Sequence, residues 1–200
     1  MVTSSIHLGI AGTHGTDTTH LARRVEMELR AVGLTVTRVG GLAKRAADLG
    51  FPKMTRHTLT STEWIIAFGT AAVLEAELTS DVVIADGTAH TALAYYLAAV
   101  EHRGQLPAPA DLDRLTALTE LHTSRQALIL ATVLDPAAPF DTPAGKDPDY
   151  SDTAFRARVD RHLHKILIEQ RPDYLPVPRP EHAVAVRTTV AAILDTLETP

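Results

Sequence analysis

Residues 12–24, GTHGTDTTHLARR, have the glycines and the hydroxyl of a phosphate-binding loop but lack its cation. Counted from Gly12, the template G-x-x-x-x-G-K-[ST] requires glycine at 17, lysine at 18 and serine or threonine at 19. The chain has Asp17, Thr18 and Thr19 at these positions. Two loop glycines and the free N–H groups of a helix that begins near Thr18 are sufficient for an anion site in principle. The predicted phosphate-binding residues are Gly12, Thr13, His14, Gly15, Thr16, Asp17, Thr18 and Thr19.

The two substitutions change the charge of the loop by two units in the direction that repels phosphate. Phosphoryl transfer spreads negative charge over the transferred group, so it needs cations and Mg²⁺ around that group. At an effective dielectric constant of 20, one charge pair at 4 Å is worth about 4 kcal/mol. Replacing lysine by Thr18 and adding Asp17 therefore predicts a loss of several kcal/mol in ATP binding or rate. The alternative is a tight turn with no ligand, in which Thr18 or Thr19 only caps the helix.

Other polar residues could take part in the chemistry of the same site. Asp86 follows an apolar run and could act as a general base, with His90 four residues later. The alternative is that Asp86 caps the next helix or pairs with Thr19. His14, Asp17 and His20 have a spacing that suggests a metal site, but no helical face presents all three and no fourth ligand is evident. Of the adjacent tyrosines 95 and 96, one must face away from the other, and we expect Tyr95 to line a cleft.

The elements that must position these residues alternate between strands and helices. Apolar runs predict strands that start at residue 6 and span 34–41, 81–87 and 127–134, with a weak final strand at 174–180. Helical periodicity follows each of them, and Thr60 with Glu63 fits a capping box at the start of a long helix. The Pro-rich and Asp-rich segment 135–150 predicts a loop.

This alternation predicts an α/β fold with about five parallel strands and helices on both faces of the sheet. The carboxyl ends of parallel strands meet along one edge, where open α/β sheets bind ligands. We therefore expect the loop 12–19, Asp86 and the segment after Leu134 to meet there. The length of 200 residues predicts one domain, 1–200, with a lid-like region at about 135–165.

Composition excludes several classes of function. The net charge of −5 gives no basic field for nucleic acid, and the absence of cysteine excludes disulfides and thiolate metal sites. The sequence shows no targeting signal and no apolar run of membrane-spanning length, so we expect a cytoplasmic protein with neither a nucleic-acid nor a membrane partner.

The segment GIAGTHGTDTTHLARRVE resembles the first loop of P-loop kinase-like ATPases related to nicotinamide-riboside kinases and to nucleoside and nucleotide monophosphate kinases. DVVIADGTAHTALAYYLA and DPDYSDTAFRARVDRHL resemble the family's Asp-containing second segment and its lid helix. The resemblance covers nearly the whole chain and implies a three-layer P-loop NTPase-like fold. The chain departs from the family where Asp17 and Thr18 replace Gly-Lys, where Gly87 replaces an arginine, and where Thr91 replaces a carboxylate.

The resemblance also implies roles for cations outside the loop. Lys53 and Arg56 correspond to the acceptor side of monophosphate kinases. We add His90 and Tyr95, from their positions near Asp86 and on a helical stripe, to the residues expected to bind substrate. The lid helix carries arginines that would clamp phosphates. Arg158 and Arg161, which are three positions apart, share a helix face and are expected to be the better pair for clamping phosphates. The lid arginines are Arg156, Arg158 and Arg161.

Three functions follow from these observations. The first is a nucleoside-binding or nucleotide-binding protein that keeps the acceptor pocket but has lost or replaced ordinary ATP-driven catalysis. The second is an active nucleoside or nucleotide kinase with an atypical loop, using ATP and with Mg²⁺ on the Thr19 hydroxyl. The third is a non-catalytic subunit that pairs with an active relative. The expected partner is a small nucleoside or nucleotide, with a homo-oligomer or a related active protein as a further possibility.

Overall fold

The computed structural model describes residues 5–138, 140, 142 and 147–198. Five strands and seven α-helices alternate within them, as the sequence predicts. Part of the predicted lid and loop, residues 139, 141 and 143–146, lies outside the described residues. The elements are β1 Ile6–Ala11, α1 Thr18–Ala31, β2 Val36–Gly40, α2 Leu42–Asp48, α3 Leu59–Glu77, β3 Val82–Asp86, α4 Ala89–His102, α5 Pro109–Thr123, β4 Leu128–Thr132, α6 Thr153–Gln170, β5 Leu175–Val177 and α7 His182–Glu198.

The five strands form one parallel sheet in the order β2-β3-β1-β4-β5. Ile10 and Gly40 both lie in register with Asp86 in the neighbouring strands, so the first and second strands end level with the third. The prediction of a parallel α/β sheet is therefore confirmed, and the carboxyl ends of β1 and β3 meet at one edge.

The core lies on both faces of this sheet because the strand residues alternate between them. Leu8, Ile10 and Leu130 pack against α1 and α7 on one face. Ile129 and Ala131 pack with α4, α5 and α6 on the other. Successive residues of a strand thus pack into opposite layers, and this alternation fixes the register of the sheet.

The predicted capping box of the third helix is wrong by two residues. Thr58, not Thr60, is the N-cap residue, and its hydroxyl accepts from the backbone N–H of Ser61 while the Ser61 side chain accepts from the N–H of Thr58. Serine takes the place of glutamate in the reciprocal pair, so the Glu63 signal was misleading. In the described part of the chain, no helix is long and apolar enough to cross a membrane.

Candidate functional site

The loop between β1 and α1 is held against the end of β4 by hydroxyl contacts. Thr16 donates to the carbonyl of Thr13 at 2.7 Å, and its oxygen lies 2.6 Å from the hydroxyl oxygen of Thr132. A Cβ atom at position 12 would collide with the side chains of Thr132 and Thr18. Gly12 is therefore required by the close packing of the loop against the sheet edge.

Asp17 occupies the second-glycine position of the template in a left-handed conformation, with φ of 62°. Aspartate tolerates this region better than most residues, so the turn keeps its shape without glycine. The carboxylate makes no capping bond to α1, and its Oδ2 lies 3.3 Å from Arg179 Nη2. The sequence argument assumed that no cation lies near the Asp17 carboxylate. In the structure, an arginine from the β5–α7 connection forms an ion pair with it.

Asp86 ends β3 directly beside the loop, with a side chain that is only 5% exposed. Thr19 donates to its Oδ1 at 3.2 Å, and Arg38 Nη1 donates to its Oδ2 at 2.8 Å. The N-cap of α4 is Thr88, so the helix-cap alternative for Asp86 is wrong and the pairing with Thr19 is confirmed. Both carboxylate oxygens are engaged, one of them by a cation that sequence reasoning did not consider.

An aromatic group covers the inner side of the loop. The ring of His14 lies 4.7 Å from that of Tyr150, which stacks on Phe140 at 5.5 Å. The Arg156 guanidinium lies 4.0 Å from the centre of the Phe140 ring, a cation–π distance. A Cβ at Gly15 would collide with Phe140. The rings thus form a surface on which a planar ligand could stack.

Tyr95 connects this aromatic group to the backbone of the loop. Its hydroxyl oxygen accepts from the backbone N–H of His14 at 3.0 Å and lies 2.8 Å from His14 Nδ1. Burial raises the pKa of Tyr95 to about 12. The hydroxyl is therefore protonated at neutral pH and fixes the orientation of His14. The expectation that Tyr95 lines a cleft is consistent with this position.

The three lid arginines do not act together. Arg156 is buried and faces the loop, where its carbonyl accepts from the Thr13 hydroxyl at 3.5 Å. Arg158 and Arg161 instead pair with Glu101 on α4, at 3.5 and 2.7 Å. Arg158 and Arg161 thus share a helix face, as their spacing predicts, but this face points toward α4 and not toward the loop, where they were expected to clamp phosphates.

Of the four residues predicted to bind substrate, two line the cleft, one pairs with a residue that lines it, and one is buried elsewhere. Lys53 and Arg56 both pair with Asp147, at 3.5 and 2.9 Å. Lys53 and Tyr95 line the cleft. His90 is completely buried. Its Nε2 lies 3.4 Å from the hydroxyl oxygen of Thr123, which is the last residue of α5. The structure therefore does not bring His90 to Asp86.

The cleft that these elements enclose has a volume of about 500 Å³. The loop forms one wall, α2 and the segment after it form another, and Asp86 and the start of α4 form the floor. The described residues contain no cluster of three or more His, Asp or Glu side chains able to hold a metal, and His14, Asp17 and His20 form none. The Thr19 hydroxyl beside the Asp86 carboxylate provides oxygen donors of the type that Mg²⁺ prefers.

No protein-family model and no curated protein matches the sequence, whereas solved structures match the fold. A NadR protein in complex with NAD and AMP-PNP superposes with a TM-score of 0.65 at 16% identity, over 91% of this chain and 48% of that one. A NadR protein in complex with NR gives a TM-score of 0.63 at 14% identity, over 93% and 51%. The chain has a P-loop NTPase-like fold. It spans about half the length of these NadR chains.

Sequence reasoning missed two arginines that meet the carboxylates of the site, Arg38 and Arg179. Arg38 stands in the apolar–polar alternation of β2, and its Nε also donates to Glu26 at 2.8 Å. The alternation places Arg38 on the same face of the sheet as Val36, and only the structure shows that α1, which carries Glu26, covers this face. Arg179 lies in a short turn before α7, and no local pattern there indicates a long-range partner.

Proposed function

We propose that this protein binds a nucleoside or nucleotide in the cleft beside Asp86, on a P-loop kinase scaffold whose lysine-dependent grip on ATP has been replaced. The observation that carries the proposal is the cleft itself, about 500 Å³ in volume and lined by both the loop and the acceptor-side segment. This volume suits a nucleoside-sized ligand. The likeness to NadR proteins solved with NAD, AMP-PNP and NR supports the same class of ligand.

The aromatic and polar groups of the cleft match the two halves of a nucleoside. His14, Tyr95 and Tyr150 offer ring faces for a base. Asp86 and Thr19 offer oxygen atoms that can hydrogen-bond a sugar hydroxyl. Where Mg²⁺ binds, Thr19 and Asp86 would hold it, and it would supply positive charge to a phosphate.

The charges around the cleft favour an unphosphorylated ligand. Lys44 and Lys53 line it together with Asp48, Asp86 and Asp147, so the lining has no surplus of positive charge. Since a phosphate group brings up to two negative charges, we expect a nucleoside to bind more tightly than its own monophosphate.

The proposal is tested by a thermal-shift screen of nucleosides, their monophosphates and phosphosugars, with and without Mg²⁺. Any ligand of the native state raises the melting temperature by mass action. A nucleoside should raise it in a concentration-dependent way and phosphosugars should not. If phosphosugars stabilise the protein and nucleosides do not, the ligand class is wrong. A Thr18→Lys variant should gain affinity for ATP, because it restores the missing ammonium to the loop.

A further inference from the structure

Asp17, His20, Arg24, Arg179 and His182 form a charged cluster beside the loop 12–19, and none of them lines the cleft described above. Asp17 and Arg179 form its ion pair, at 3.3 Å. His20 and Arg24 act electrostatically on His182 together with these two residues. Counting the histidines as neutral, two arginines face one aspartate, so the cluster carries one net positive charge.

His182 shows that the cluster is polar and incompletely satisfied. This residue is 8% exposed, and its Nε2 is buried without a hydrogen-bond partner among the described residues. Burial lowers the pKa of His182, while Asp17 raises it and the nearby arginines lower it. Among the described residues, His182 Nε2 is one of ten such buried side-chain atoms, and a bound water or ion is the usual explanation for an atom of this kind.

The guanidinium of Arg179 can bind a second anion without leaving Asp17. The contact with Asp17 uses one terminal nitrogen of Arg179, and an arginine has five N–H donors in a planar fork. Its side chain is 64% exposed, so a ligand can reach the remaining donors.

We propose that Arg179, held at the loop by Asp17, replaces the missing lysine and binds the polyphosphate of a nucleoside triphosphate on this side of residues 12–19. Asp17 is then a positioning residue for a cation that comes from the β5–α7 connection. The substitution of glycine by aspartate and that of lysine by threonine become two parts of one change. This inference rests on the proposed function, since it concerns where the same scaffold would bind a second substrate, the nucleoside triphosphate.

The test is a calorimetric titration of Mg²⁺–ATP into the wild type, Arg179→Gln, Arg179→Lys and the matched control Arg187→Gln, an exposed arginine on α7. Arg179→Gln should weaken ATP binding about tenfold, since it removes a charge-assisted contact. Arg179→Lys should restore part of the affinity, and Arg187→Gln should bind as the wild type does. Equal ATP affinity of Arg179→Gln and the wild type would overturn the inference.

Asp17→Asn separates positioning from simple repulsion. In the Arg179→Gln background it should improve ATP binding, because only the repulsion between Asp17 and phosphate is then removed. In the wild-type background it should weaken ATP binding, because Arg179 loses its anchor. An equal improvement in both backgrounds would show that Asp17 only repels phosphate, which contradicts the inference.

A parallel titration with the best-stabilising nucleoside distinguishes this inference from the proposed function. Nucleoside affinity should be unchanged in every Arg179 and Asp17 variant. If the wild type binds the nucleoside but not ATP, the Arg179 inference fails and the proposed function stands. If neither ligand binds, both fail.

Discussion

Arg38 on β2 and Asp86 at the end of β3 form an ion pair of 2.8 Å, with the carboxylate almost fully buried. A lysine-free loop therefore lies beside an acidic residue that already has a cation of its own. This pair accounts for why a buried carboxylate is tolerated at the floor of the cleft, and it leaves Oδ1 to the Thr19 hydroxyl.

Asp86→Asn should destabilise the protein by about 1–3 kcal/mol, because it leaves the Arg38 guanidinium with only Glu26 as an acidic partner. Urea unfolding at neutral pH measures the effect. The control is Asp173→Asn, whose exposed pair with Arg171 should contribute less than about 1 kcal/mol. Equal losses in the two variants would mean that burial adds nothing to the Arg38–Asp86 pair.

Tyr95→Phe should lower nucleoside affinity, because it removes the hydroxyl that fixes the backbone N–H and the ring of His14. Loss of this hydrogen bond should also cost about 1 kcal/mol of stability. Tyr174→Phe is the matched control, since its hydroxyl also meets a histidine, His164, at 3.1 Å but on α6 outside the cleft. Calorimetry should show unchanged nucleoside binding in that control, and a parallel loss in both variants would contradict the role of Tyr95.

Lys53→Gln should weaken the binding of a nucleoside monophosphate about threefold to tenfold and leave the parent nucleoside unaffected. The physical reason is that Lys53 lines the cleft, where its ammonium group also forms an ion pair with Asp147. Titrations at low and high salt measure the effect, which should shrink with added salt. Lys165→Gln, on the exposed side of α6, is the control. Equal losses for nucleoside and monophosphate would show that Lys53 does not contact phosphate.

The protein should lose stability as the pH falls from about 6.5 towards 4. Burial lowers the pKa of both His57 and His90 to about 4. In this range the unfolded chain binds protons that the folded state does not, so the free energy of unfolding rises with pH. Each histidine contributes on the order of 3 kcal/mol over the full interval. The stability is fully present above the unfolded pKa.

Urea unfolding at pH 7.5 and at pH 5 tests this dependence. His90→Leu should reduce the difference between the two values, whereas His20→Gln, at an exposed position of α1, should not. A difference that is the same in His90→Leu as in the wild type would show that His90 is not the titrating group.

The sequence predicted the elements well because their signals are local. The apolar runs of β3 and β4 and the periodicity of α1 are read from neighbouring residues, and the parallel sheet follows from their alternation. The convergence of the loop, Asp86 and the end of β4 at one edge follows from that topology. The start of α3 was misplaced because Ser61 and Glu63 offer competing capping signals, and only the backbone decides between them.

The charges of the site could not be predicted in the same way. Arg179 lies 162 residues after its partner Asp17, and nothing in the residues around either one specifies the contact. The lid helix shows the same limit, since helix spacing identified the face shared by Arg158 and Arg161 but not that Glu101 covers it. Side-chain partners across the sheet depend on packing, which the sequence pattern leaves open.

The central claim is that the cleft beside Asp86 binds a nucleoside. Calorimetric titration of the best-stabilising nucleoside into the wild type and into Thr91→Phe tests it most directly, because Thr91 lines the cleft and a phenyl ring there would occupy space that the nucleoside needs. Thr188→Phe, exposed on α7, is the control. We predict saturable binding with one site in the wild type and the control, and none in Thr91→Phe. Absence of saturable binding by any nucleoside at millimolar concentrations, or equal binding by Thr91→Phe, would contradict it.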